Sequence, residues 1–504
     1  MKPEDHEIAC SSYEHRNRRP RLLEIDMESR NLHSQCLAAT AIAILLTMVC
    51  PSLCFADAKL QTPRSADGIY DILDYGAVGD GSTDSTPAIQ KAINAASVKG
   101  GVVVIPIGRF LCKGHFEIKM GVHLKGLNEA PQSWEPQTGS ILMPTEGRDK
   151  DGDDGPAFIE MRSSTSLAGV TIYYPEQNVE DIHPYPWTIR ISANPSQPKE
   201  VAFDTTVADV TLINSYNGIR TGPTENGRHR IMGVHGCVLR RGILVDWTGD
   251  IGRLENIQFH CHFWASPAFH GNFDKAFAYM QHNLEAFVFG RTDWEYVTNT
   301  FVFPAKTGYR FIQTANGAAN GQFSGIGADA TENAVVVEAI QPMGLLITNG
   351  EFNSHLVGSS AQIIIEKSAR GNVRFVNSGF WGPVKHNAIL RGDGFTSFSD
   401  CYFSNNNETD EAAILVEAGK VQIQNSTFAA DSVAHVPGHS DADESVRFQS
   451  PSIHLEPGVQ SAIIRGNNGY YGVKIQNEIG DRAFISDNEP FHAPPSEMTK
   501  QPSQ

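Results

Sequence analysis

The sequence predicts an all-β solenoid, a parallel β-helix of about 12–13 coils with an N-terminal helix capping its first coil. One observation is a recurring unit from residue 114 onward: a β-rich run, a turn, and a second run commonly closing on Asn-x-x-aromatic. A second is its step. The polar position falls at Asn256, Asn349, Asn377, Asp400, Asn425 and Asn467, and from 349 to 377 to 400 to 425 the steps are 28, 23 and 25 residues. The third is composition within a step, two or three short β-branched runs, which suits one coil of a β-helix. A propeller blade needs about 40 residues, and a leucine-rich repeat needs an LxxLxLxxN core with an intervening helix. Neither is present.

The first 58 residues stand outside this pattern. Leu37 to Val49 form an apolar stretch, preceded by Arg30 and followed by Pro51 and the small-residue end CFADA. That order is a secretory signal, with Met27 a plausible true start and cleavage expected after Ala56 or Ala58. The protein is therefore expected to be secreted or periplasmic, with no stable membrane span once the signal is removed. The chain carries 57 Asp+Glu against 40 Lys+Arg, a net charge of −17. Such acidity argues against a nucleic-acid partner, because phosphate binding needs a basic face. Four of eight cysteines lie in the leader; Cys112, Cys237, Cys261 and Cys401 remain, too sparse for a disulfide scaffold. A Cys237–Cys261 bridge is left open.

Stacked coils explain the repeat. Ile347, Phe375, Phe398 and Ile423 are expected to point inward as one apolar column. Phe259, Phe352, Phe380, Phe403, Phe428 and Tyr470 form an aromatic column beside it. The asparagines are read as buried corner residues whose amides bond to backbone or to the next asparagine. All of these are structural positions.

Residues 70–127 open the solenoid. Tyr75-Gly76-Ala77 ends a strand, GDGSTDST is a polar turn, and Ser85 or Thr86 caps a helix with Pro87 in its first turn. Ala88, Ile89, Ala92, Ile93 and Ala96 recur at helical spacing, and Gly100-Gly101 ends the helix. This stretch resembles the pectate lyase superfamily, in particular its rhamnogalacturonase/epimerase-like pectate lyase domain. The motif YGAVGDGSTDST, AIQ, AI, then GG, V, IP, G and F carries the resemblance over about 60 residues. It implies a single-stranded right-handed parallel β-helix and a pectin-like substrate. Ser85 departs from the family, which often has a second Asp there. The polygalacturonase-type signature is absent as a set, and Gly438-His439-Ser440 is only a fragment, so no catalytic residue is carried over.

Chemistry is expected on the long face built from one strand per coil and on loops beside it. The largest insertion, 261–285, is rich in His and aromatics, and both readings stay open: sugar-stacking residues, or a small lobe with Phe269, Phe273, Phe277 and Tyr279 as its own core. His260, Trp264, Trp294 and Arg310 are candidate substrate contacts. Asp293 and Glu295, two apart, share a face if their run is a strand. With Asp329, Glu351, His262 and Arg291 they are the candidate catalytic set. Carboxylates on neighbouring coils suit a glycosidase pair, whereas a lyase needs a cation for the uronate and a base such as Lys, Arg, His or Tyr. The alternative for each acid is a solvated turn residue. Asp149, Asp151, Asp153 and Glu160 fall at positions 1, 3, 5 and 12 of a calcium loop, without its glycine at position 6. No cofactor is otherwise expected, calcium being the one candidate.

The reading is an exported polysaccharide-active enzyme, a hydrolase or lyase on an acidic or neutral glycan, monomeric or homotrimeric. A non-catalytic glycan-binding or adhesin-like solenoid and a uronate epimerase are the alternatives. Residues 491–504 read as a flexible tail.

Overall fold

The computed structural model describes residues 67–492, apart from 134–137, 195, 198–199, 355–360, 383, 405–410 and 430–449. The leader, Gly438-His439-Ser440 and nearly all of the tail lie outside the described residues.

Each coil contributes a strand to three faces. Sheet I has thirteen strands, running from Phe116–Ile118 to Ile475–Asn477, so thirteen coils pass through it. Every pairing is parallel, and the register stacks like on like: Ile159, Ile189, Ile219 and Ile243, then Phe287 on Tyr309 with ring centroids 5.0 Å apart. The other large sheet has 27 strands and turns a corner within each coil, giving faces II and III. Ile347, Phe375, Phe398 and Ile423 stand in register on face II and are fully buried. Phe352, Phe380, Phe403 and Phe428 do the same on face III, the last three stacking at 4.9 and 5.0 Å. Inward and outward residues alternate along each strand because strand side chains alternate faces.

The corner between faces II and III explains the asparagines differently from the sequence reading. Asn256, Asn349, Asn377, Asp400 and Asn425 have φ between 48° and 56° and are exposed. They are selected because Asn and Asp tolerate the left-handed conformation that the corner demands, and glycine takes the place at Gly233 and Gly466. The ladder is partial: Asn377 Nδ2 donates to Asn349 Oδ1 at 2.8 Å and Asn299 Nδ2 to Asn256 Oδ1 at 3.3 Å. The last coil is displaced by one residue from the expected alignment. Thr427 pairs with Asn468, so Gly469 rather than Tyr470 continues the aromatic column, and Tyr470 is 57% exposed. Asn467 is the buried asparagine, accepting from the Ser426 N–H and donating to the Ile423 carbonyl.

Helix α1 (Thr86–Ala96) turns Ala88, Ile89, Ala92, Ile93 and Ala96 inward against the first strands. Ser85 precedes it, but its hydroxyl is taken by the Val78 backbone, and Asp84 Oδ1 receives the Thr86 N–H at 3.0 Å instead. A second helix, α2 (Phe273–Asn283), is capped by Asn272, whose side chain accepts from the Lys275 N–H. It forms an inserted lobe with the two short turns before it. Phe269 is buried there, and Phe273, Phe277 and Tyr279 pack partly buried against the core. The four described cysteines are free and buried, so Cys237 and Cys261 are not bridged.

Candidate active site

The ten residues singled out in sequence separate into five places. Face III and its margin carry Glu351, Asp329 and His260, and His262 begins the lobe in the turn Cys261–Trp264. Glu351 is exposed and stands in register with Gly327, Gly379 and, beyond it, Tyr402, so the acid is a local addition to the coil. Asp329 is two residues beyond Gly327 on the preceding coil. Coil and residue spacings of about 4.8 and 3.3 Å put the two Cα atoms roughly 8 Å apart. Glu351 Oε1 accepts from Trp381 Nε1 at 3.2 Å. His260 stacks on Phe303 with centroids 4.8 Å apart, and its Nδ1 accepts the His262 N–H at 2.9 Å. Burial, with the His262 charge second, lowers the His260 pKa to about 4. The ring is thus neutral at pH 7, with its proton on Nε2.

The other six go elsewhere. Arg291 and Asp293 lie in the turn between sheet I and face II, ion-paired at 2.8 Å. Trp294 follows them at φ 65°, and this left-handed residue breaks the strand alternation. Asp293 therefore points outward while Glu295 turns into the solenoid, fully buried, with Thr292 Oγ1 donating at 2.7 Å and His229 Nε2 at 3.0 Å. The expected shared face of Asp293 and Glu295 does not exist, and Glu295 lines no cleft. Trp264 is fully buried, its Nε1 donating to the Phe269 carbonyl, and belongs to the lobe core. Arg310 lies on sheet I, bonded to Glu338 at 2.7 Å and to Glu285 at 2.5 Å.

Sheet I holds the cluster that sequence reasoning missed. Its outward register runs Glu117, Glu160, Arg190, Arg220, four charged side chains on successive coils. The register that opens the same strands runs Trp187, Asn217, Arg241, Glu285, the first two buried and the last two partly exposed. One wall is the loop 149–156, tied to the coil by a Gly152–Pro186 bridge; a Cβ on Gly152 would come within 3.3 Å of the Arg241 guanidinium. Helix α2 packs on neighbouring strands of sheet I and sets the Tyr279 phenol beside that of Tyr216. Arg240, Arg241 and Asp151 all act electrostatically on Tyr216. Asn217 Nδ2 fixes Asp151 at 2.9 Å, and Glu285 anchors Arg240 at 3.4 Å.

Burial, then the Asp151 charge, raises the Tyr216 pKa; Arg240, the Tyr279 hydroxyl and Arg241 oppose the rise. Burial likewise pushes Tyr279 up to about 12. Both phenols are protonated at neutral pH and able to donate. Beneath them Tyr185 Oη, Trp187 Nε1, Asn217 Oδ1 and Arg220 Nε are buried without a partner among the described residues. Buried polar atoms are seldom left so, and a water or a ligand group is the usual partner. The arrangement sets guanidinium groups and phenolic proton donors close together on the outside of sheet I.

The calcium-loop spacing does not produce calcium-loop geometry. Asp149 pairs with His183, Asp153 with Arg190 and Arg220, and Glu160 with Arg190 and Arg162. Among the described residues no group of three or more His, Cys, Asp or Glu converges as a metal site. Arginines have drawn the acids apart.

Comparison with known proteins adds the following. Mannuronan C5-epimerase AlgE2 of Azotobacter vinelandii is 43% identical over 65 residues, covering 11% of this chain and 6% of that protein. Alginate lyase 7 of the same organism is 47% identical over 53 residues, 10% of this chain and 6% of that protein. The match thus spans about a sixteenth of the length of these relatives. Plasmin and fibronectin-binding protein A of Streptococcus pneumoniae is 46% identical over 65 residues, 12% and 9% of the two chains. Among solved structures, the A-module of Azotobacter vinelandii mannuronan C-5 epimerase AlgE6 is similar at 13% identity and a TM-score of 0.46, over 85% of this chain and 100% of that one. Residues 69–140 match the family model described as Rhamnogalacturonase A/epimerase, pectate lyase-like, so that the motif-bearing segment is that of the pectate lyase-like superfamily.

Proposed function

We propose that this protein is a polysaccharide-active enzyme that abstracts the proton α to a uronate carboxylate, in the cleft on sheet I. The observation that carries this is the pair Arg240 and Arg241, both held by Glu285, beside the loop in which Asn217 fixes Asp151, with the Tyr216 and Tyr279 phenols next to them. Abstraction of such a proton builds charge on the carboxylate, and fixed guanidinium groups stabilise it where water is excluded. Arg240 and Arg241 bind the uronate, Asp151 accepts the proton, and the Tyr216 hydroxyl delivers one, oriented by Tyr279. Delivery to the glycosidic oxygen completes a β-elimination; delivery to the opposite face of the same carbon completes an epimerisation. Relatives that match short stretches of this chain are named as mannuronan epimerases and an alginate lyase, which supports the substrate class. The apolar leader read in sequence supports export.

The test is incubation with polymannuronate and polygalacturonate, following absorbance of unsaturated uronates and, by NMR, inversion at the acidic carbon. Either signal, lost in Tyr216→Phe, supports the proposal; neither signal in the wild type removes it. A second reading, hydrolysis by Asp329 and Glu351, rests on their placement on adjacent coils of face III, in the range of a two-carboxylate pair. New reducing ends without unsaturated products, abolished by Glu351→Gln, distinguish it.

A further inference from the structure

The turn edge between sheet I and face II carries a feature the proposed chemistry does not use. Trp247 and Trp294 have φ of 54° and 65°, and they are the only Phe, Tyr or Trp among the described residues at positive φ. Left-handed backbone is unfavourable for a bulky residue, and an outlier of this kind persists only where its surroundings fix it and often where the site has a use. Both rings are exposed, Trp247 at 38% and Trp294 at 57%. They occupy consecutive turns, because Thr248 and Thr292 face each other across the two coils.

The support beneath them is extensive. Asp246, 6% exposed, accepts from the Arg291 N–H at 2.9 Å, from Thr314 Oγ1 at 2.9 Å and from Asn316 Nδ2 at 3.0 Å. Arg291 donates to the Thr248 carbonyl at 2.7 Å, stitching the two turns together. Asn320 Oδ1 accepts the Trp294 N–H at 3.0 Å, and Gln341 holds both Asn320 and Asp293. Four successive turns are thus locked by side chain–backbone bonds, and they present two indoles to solvent. Rigid aromatic surface of this kind lowers the ordering cost of binding and packs on the C–H faces of sugar rings.

Charge decides which sugar. Glu225 reaches the Gly249 turn with its carboxylate, while on later turns Glu338 pairs with Arg310 and Glu366 with Arg391, and Lys367 lies beside both acids. The nearby cations Arg291 and Arg228 are committed to Asp293 and to Asp204 and Asp250. With its charges paired, this edge offers a polyuronate no row of free cations and leaves the two indoles as its main binding surface. We infer that Trp247 and Trp294 form a second, non-catalytic site for an uncharged polysaccharide, a platform that holds the protein on a neutral glycan while the site on sheet I works on an acidic one.

The experiment is affinity electrophoresis and calorimetry of the whole protein with hydroxyethylcellulose and galactomannan, polymannuronate being the charged control. Wild type should bind at least one neutral polymer, and Trp247→Ala with Trp294→Ala should weaken that binding by about tenfold or more, the effect of losing aromatic contacts. Trp294→Gly separates binding from folding. Glycine accepts the left-handed turn at no steric cost, so its Tm should equal or exceed that of wild type while neutral-glycan binding falls. No neutral-glycan binding by wild type, unchanged binding in the double variant, or a lowered Tm in Trp294→Gly each overturns the inference. None of these readings depends on whether the sheet I cleft turns over uronates.

Discussion

His229 Nε2 and Glu295 Oε1 lie 3.0 Å apart with both side chains fully excluded from solvent, inside the solenoid beneath Gly252. A pair of this kind is worth little net stability, because desolvation of its members offsets their attraction; its asymmetry matters more. Glu295→Ala leaves a buried imidazole without its partner and should destabilise the protein by about 3 kcal/mol or more. Glu295→Gln keeps an acceptor for His229 and should cost much less. Thermal unfolding of the two variants measures the difference, and turnover per folded molecule should change in neither.

Tyr216→Phe removes the proposed proton donor without altering the shape of the cleft. It should lower kcat by about 100-fold or more and leave KM within a few-fold, the pattern of a group acting in the transition state. Tyr279→Phe acts through Tyr216, so its loss should be smaller, with the alkaline limb of the pH–rate profile displaced because the neighbouring hydroxyl that holds the Tyr216 pKa down is gone. An unchanged limb in Tyr279→Phe would show that the pair is not coupled.

Arg240 and Arg241 should act on binding. Replacing both with Ala should raise KM for a polyuronate by about tenfold or more, with a weaker dependence of KM on salt than wild type, since exposed charge interactions are screened. Lys at the same positions should restore only part of the loss, because an ammonium cannot make the planar two-point contact of a guanidinium with a carboxylate. Steady-state kinetics at two ionic strengths measure both effects.

The pH range of stability follows from the same burial. Tyr279 has its folded pKa raised from 10.0 to about 12, so the neutral phenol is the form the fold prefers. Its contribution is complete below pH 10 and is lost as pH rises toward 12. His260 is a base lowered from 6.5 to about 4, so its contribution is present above pH 6.5 and lost as pH falls toward 4. Denaturation midpoints measured across the acid and alkaline ranges should therefore fall at both ends. His260→Gln should flatten the acid limb, and Tyr279→Phe the alkaline one.

Much of this architecture was legible because a solenoid repeats its constraints. Ile347, Phe375, Phe398 and Ile423 read as one column in sequence, and the register places them in one. The site was less legible for two physical reasons. A single left-handed residue, Trp294, reverses the side to which Glu295 points, and no alternation rule anticipates it. Tyr216 and Tyr279 are 63 residues apart (279 less 216) and meet only because α2 folds back over the coil. One usable signal was present: Ile189-Arg190 and Ile219-Arg220 repeat at a step of 30 residues, and aligning the early coils on them puts two arginines on one outward column. The asparagine column was located correctly and explained wrongly, since these side chains are exposed and their value lies in backbone conformation.

That last distinction can be tested at Asn377, where φ is 48° and the neighbouring corner residues Asn349 and Asp400 share the conformation. Were side-chain hydrogen bonding the main contribution, Gly and Val would be equally harmful, since both lose the bond from Asn377 Nδ2 to Asn349 Oδ1. If backbone conformation dominates, they should diverge. Asn377→Gly replaces one residue tolerant of the left-handed region by another and should change stability by less than about 1 kcal/mol, as an exposed hydrogen bond contributes little. A β-branched residue there is forced into an unfavourable conformation costing about 1–2 kcal/mol or must distort the corner. Asn377→Val should accordingly unfold at lower denaturant than Asn377→Gly, with parallel strand pairing on either side of the corner weakened in the same coil. Equal destabilisation by the two substitutions would return the column to a hydrogen-bonded ladder.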